Sequence, residues 1–139
     1  ANSSAYIAEL EGVGKKIDTA FSTCASRVLV TSHYSFSYFA NRANLTMYSL
    51  APSNPDAQLS AQQIEKLTNE LKSARVSTIF SEEMVASTLV NTVAQSIGAS
   101  VSSLQPLEGI TNADLKADKN YITFQLDNIK RIAQGLGCS

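Results

Sequence analysis

The sequence predicts an α/β domain of three layers, a mainly parallel four-stranded sheet flanked by helices and preceded by one long helix. Three observations carry that prediction. Short runs rich in Val, Ile and Leu alternate with longer segments whose apolar residues recur at helical spacing. The 139 residues suffice for one compact core, and no internal repeat or low-complexity tract divides them. Strands separated by helices, finally, imply right-handed crossovers and a sheet covered on both faces.

Residues 2–22 read as a long amphipathic helix, because Tyr6, Leu10, Val13, Ile17 and Phe21 share one face. Arg27 to Ser32 forms the first strand. A second helix begins near Ser35 and carries Phe36, Tyr38 and Phe39. Met47 to Leu50 is a weaker strand, followed by the loop APSNPDAQL, whose Asn-Pro step marks irregular chain. Ser60 and Gln63 have the spacing of a capping box, with Ile64, Leu67 and Leu71 lining the helix behind them. RVSTIFSE is the third strand. Val85, Leu89, Val90, Val93 and Ile97 make the next helix, and Gly98 is placed to end it. ASVSSLQP is the fourth strand, stopped by Pro106. A loop over 107–120 leads to a closing helix from Asn120 to Leu136, with Ile122, Leu126, Ile129 and Ala133 on its inner face.

Composition removes several function classes. Hydrophobic residues make up 44% and charged residues 17%, which is a globular balance. The net charge is −1 and the basic residues are scattered, which argues against nucleic acid as a partner. No apolar run approaches the roughly 18 residues of a membrane helix. The opening ANSSAYIAEL is polar and helix-like, with no secretory leader in it. Cys24 and Cys138 allow two readings: a pair of buried thiols, or a disulfide tying the last turn of the chain to the region before the first strand. The second places the protein outside the cytosol.

The only histidine follows the first strand, in VTSHYSF. Ligands of such sheets bind outside the carboxyl ends of the strands. His33 lies there, as do Glu82 and Glu83 after the third strand and Gln105 after the fourth. Three chemistries compete for His33. A catalytic base needs an adjacent nucleophile and an orienting carboxylate, and although Ser32 and Ser35 flank it there is no G-x-S-x-G elbow. A small α/β enzyme would pair His33 with Glu82. A nucleotide site needs a glycine-rich strand–helix turn, and TSHYSF has no glycine. A zinc site needs about four ligands, of which this sequence supplies one imidazole and some carboxylates. A satisfied structural histidine is the plain alternative. Glu82 and Glu83 similarly read either as an acid/base pair or as acidic residues capping the next helix.

Taken together, VLVTSHYSFSYFA, STIFSEE, VSSLQPLEG and NYITFQLDNIKRIAQGL resemble, in order and spacing, the C-terminal lobe of the metal-binding solute-binding proteins that serve zinc and manganese ABC transporters. The resemblance covers essentially the whole chain. It implies that residues 1–22 are the end of the helix linking two lobes and that 23–139 are the C-terminal lobe, with metal ligands also coming from an N-terminal lobe. It further implies an extracytoplasmic protein, periplasmic or surface-anchored, that is not an enzyme and hands its ion to a membrane permease. His33, Phe36, Tyr38 and Phe39 match the family pattern His-Asp-Ala-Phe-x-Tyr-Phe, whose histidine is a ligand and leans towards Zn2+, with Mn2+ the other metal of the family. Glu82 matches a glutamate near the cleft that supports the ligands. Gln105 stands where zinc-type relatives tend to have the aspartate of Leu-Asp-Pro-Leu, and an amide carbonyl brings no charge to that position. Zinc-type relatives can also carry a disulfide to the closing helix. This lobe alone is not expected to bind zinc tightly, and a protein-interaction or adhesin-like module with a degraded metal site is the alternative.

Overall fold

The computed structural model describes residues 2–51, 59–82 and 87–139. Its elements follow the order α1 (Asn2–Ala20), β1 (Val28–Thr31), α2 (Ser37–Arg42), β2 (Thr46–Ser49), α3 (Ala61–Ser73), β3 (Thr78–Ser81), α4 (Thr88–Ile97), β4 (Ser100–Ser103), α5 (Asn112–Lys116) and α6 (Tyr121–Leu136). Glu83, Val85 and the two prolines of the loop after β2 lie outside the described residues.

The four strands form one sheet in the order β2-β1-β3-β4, and every pairing is parallel. Alternation along the strands sends neighbouring side chains to opposite faces. Leu29 and Phe80 join α1, α2 and α6 in one core, with Phe21, Phe36, Ile132 and Leu136. Val30 and Ile79 join α3 and α4 in the other, with Leu71, Val90 and Val93. The molecule is thus three-layered, as its alternating pattern requires. Ser60 and Gln63 make both bonds of the predicted capping box, and Gly98 ends α4 in the left-handed conformation at φ 72°.

Three details depart from the sequence reading. Residues Asn112–Lys116, read as loop, form the short helix α5, held by a capping box between Thr111 and Asp114. The stripe buried by α6 is Phe124, Asn128, Ile129, Ile132 and Leu136, while Ile122, Leu126 and Ala133 are only partly buried at its edge. Helix α1 buries Val13 and Ile17 but leaves Tyr6 and Leu10 exposed at 46% and 38%, because none of the described elements packs over its first half.

The C-terminus is pinned rather than frayed. Cys24 and Cys138 are joined in a disulfide and form an antiparallel bridge. Around it Ala25 and Ser26 donate to the carbonyls of Gly137 and Leu136, and Ser139 donates to that of Thr23.

Candidate metal centre

The strand order fixes where a site can be. From β1 the chain crosses outward to β2, and from β3 it crosses the other way to β4. The direction of winding therefore reverses between β1 and β3, and the crevice at the carboxyl ends of those two strands is the natural ligand position of an open α/β sheet. His33 follows β1 and Glu82 follows β3.

The two strand ends are cross-linked by side chains. Ser32 donates its backbone N–H to the Phe80 carbonyl at 2.9 Å and accepts from the Glu82 N–H through its hydroxyl, also at 2.9 Å. Glu82 returns the contact: its Oε1 accepts from the His33 backbone N–H at 3.0 Å. The Thr31 hydroxyl donates to the His33 carbonyl. Both polar groups of the His33 backbone are thereby held, and the residue stands at the surface. Glu82 is only 8% exposed, and its second oxygen, Oε2, is buried without a hydrogen-bond partner among the described residues. A buried carboxylate oxygen calls for a polar or cationic partner.

Glu82 also lines a cavity of about 350 Å3 that runs along the ends of β3 and β4 to α5 and α6. Gln105, Glu108, Asp114, Asp127, Asn128 and Arg131 share its walls. The Asp114 carboxyl titrates at about 2, held below the usual range first by the Thr111 hydroxyl and then by the Lys119 ammonium 3.0 Å away. A larger open groove, formed by Tyr48 and the outer side of α3, contains none of these residues.

The Gln105 side chain bonds at both ends within its own loop. Its Oε1 accepts from Leu107 N–H at 2.9 Å and its Nε2 donates to the Gly109 carbonyl at 3.2 Å. Among the described residues no group of three or more His, Cys, Asp or Glu side chains is arranged to hold a metal ion. The structure brings His33 and Glu82 into direct contact, and Glu82 and Gln105 onto one cavity.

Residues 1–135 match the ZnuA family, zinc-uptake complex component A, periplasmic. The chain belongs to the ZnuA family. It is 32% identical over 133 residues to the zinc-binding lipoprotein AdcA of Streptococcus pneumoniae, an alignment that takes in 96% of this chain and 26% of AdcA. It is similar in structure to the Zn(II)-bound ZnuA-like domain of that AdcA, with a TM-score of 0.76 at 32% identity over 97% of this chain and 51% of that domain. Streptococcus agalactiae Lmb, a laminin-binding protein described as bifunctional with adhesin and metal-transporting activity, gives a TM-score of 0.84 at 28% identity over 96% of this chain and 50% of Lmb. This ZnuA-family chain therefore spans about a quarter of the length of AdcA and about half of each of these two solved structures.

Three acidic residues of this cavity, Glu108, Asp114 and Asp127, were not singled out in the sequence. Glu108 is exposed and lies on the cavity wall three residues beyond Gln105, in QPLEG. The usable signal was chemical: where the expected carboxylate is an amide, the nearest carboxylate in the same loop deserved equal weight.

Proposed function

We propose that this chain is the C-terminal lobe of a two-lobe solute-binding protein that captures a divalent cation, zinc first and manganese second, and delivers it to the membrane permease of an ABC transporter. Residues 1–22 are the end of the helix that joins the lobes, and 23–139 are the lobe itself. The observation that carries the reading is the cradle at the β1/β3 switch point, where a buried Glu82 grips the backbone of an exposed histidine. The imidazole of His33 is the ligand, and a borderline-soft ion suits it. Glu82 orients it from behind. Glu108 supplies negative charge from the β4 side, while Gln105, both of whose polar ends are engaged in the loop, contributes no metal contact. Two donors fall short of the four that zinc prefers, so an N-terminal lobe supplies the remainder and this lobe alone binds weakly. The disulfide fits a protein working outside the cytosol, and capture and release need no catalytic step.

The test is the zinc affinity of the two-lobe protein with His33→Ala, measured by competition with a chromophoric chelator. Loss of a ligand should weaken binding at least about 100-fold. The exposed position of the imidazole means that the melting temperature of the metal-free protein should hold. Unchanged affinity would remove His33 from the donor set. The likeness to Lmb favours a second reading, an adhesin-like module on the same scaffold. Saturable binding to immobilised laminin that survives both chelation and His33→Ala would support it over metal delivery.

A further inference from the structure

Asn128 is a polar residue on the buried stripe of α6, only 1% exposed. Its amide meets the backbone of Gln105 twice: Gln105 N–H donates to Asn128 Oδ1 at 3.0 Å, and Asn128 Nδ2 donates to the Gln105 carbonyl at 2.9 Å. This two-bond rung fastens the chain to α6 just after it leaves β4. From that fixed point the Gln105 side chain reaches forward, accepting from Leu107 N–H and donating to the Gly109 carbonyl. The two anchored residues stand immediately before and after Glu108. Leu107 is held at φ 72°, a left-handed conformation that a leucine adopts only where its surroundings impose it.

We propose that Gln105 and Asn128 form a positioning device for Glu108. The rung fixes the loop to the helix, the Gln105 side chain fixes its curvature, and the carboxylate between the two anchors is held at the cavity before any ion arrives. A glutamine suits this task better than the carboxylate expected there, since one end must accept and the other must donate. An aspartate or glutamate would supply the acceptor for Leu107 and leave the Gly109 carbonyl without its donor. The proposal rests on the reading of Glu108 as a metal donor.

The experiment uses the full-length protein carrying this chain, with zinc affinity measured by chelator competition and the Leu107 amide followed by hydrogen exchange without metal. Glu108→Gln should weaken zinc at least about tenfold, and Gln105→Ala should do the same while speeding Leu107 exchange by a similar factor. Gln105→Glu decides between brace and ligand. A brace loses the Gly109 bond and gains no affinity, whereas a ligand made anionic tightens zinc. Tighter binding by Gln105→Glu overturns the proposal. So does a Gln105→Ala variant with native affinity and native exchange when Glu108→Gln is weakened, and that result leaves the donor reading standing. Native affinity in Glu108→Gln removes the donor reading and the brace's purpose together.

Discussion

The disulfide makes the largest single contribution to stability that can be worked from this structure. Cys24 and Cys138 are 114 residues apart, so the bond closes nearly the whole domain into one loop. In the chain-entropy description a loop of that length raises folded-state stability by about 5 kcal/mol at 25 °C, almost entirely by restricting the unfolded chain. Ordinary domains are stable by about 5–15 kcal/mol, so its removal takes a third or more of the total. Replacing both cysteines by serine leaves in place the backbone bonds that tie residues 23–26 to 136–139. The native structure should therefore survive, and the loss should appear in the equilibrium alone. With a urea slope of about 2 kcal/mol per molar, the midpoint of the double variant should fall by about 2–3 M. The slope itself should rise, because an unfolded chain without the cross-link exposes more surface. Urea titrations of the oxidised chain and the double variant, followed by circular dichroism, give both numbers. A midpoint shift below about 0.5 M with an unchanged slope would refute the unfolded-state argument.

Two other outcomes test the packing and the capping. A Cβ at Gly135 would lie 2.5 Å from the ring of Phe80, which is fully buried and has nowhere to move, so Gly135→Ala should destabilise by about 1–3 kcal/mol. Gly12→Ala in α1 meets nothing within 4 Å and should stabilise by about 0.5–1 kcal/mol; thermal melts that rank the two variants the other way would contradict the close approach of α6 to β3. Asp114 should titrate with a midpoint of about 2 by carboxyl NMR. Because its folded value lies below the usual 3.8, the contribution of the α5 capping box is full above pH 3.8 and disappears as pH falls through about 2. Thr111→Ala should raise the midpoint, and an unmoved value would mean that the hydroxyl is not its main cause.

The architecture was legible because burial on both faces writes itself into the strands. VLVT and TIFS carry apolar residues for two cores at once, and the helices between them repeat at the expected spacing. The position of His33 just past the end of β1 was legible for the same reason, since the strand before it is buried on both faces. What escaped was polar. Helix α5 has one large apolar residue, Leu115, and it is 58% exposed, so no periodicity announced the helix; only Thr111 and Asp114, spaced for a capping box, did. Asn128 was passed over because its burial is dictated by the backbone of Gln105, 23 residues earlier, and no local pattern encodes that partner. The exposed Tyr6 and Leu10 are a different case. Their helical spacing was read correctly, but a surface facing away from this chain leaves the same mark on the sequence as one facing its core.

Two halves of the site are built on the same principle, and that bears on how the cation would be held. After β1, His33 is fixed through its backbone by Glu82 and Thr31, which leaves the imidazole at the surface. After β4, Glu108 is bracketed through its neighbours by Gln105, itself fastened to α6. Folding of the lobe has already met the entropy of ordering both backbones, so little of the binding free energy is diverted to arranging them. In the two-lobe protein proposed above, what remains variable is the distance to donors on the other lobe. On that reading cation affinity becomes a measure of lobe closure, and an opening of the cleft would weaken the site without disturbing either His33 or Glu108.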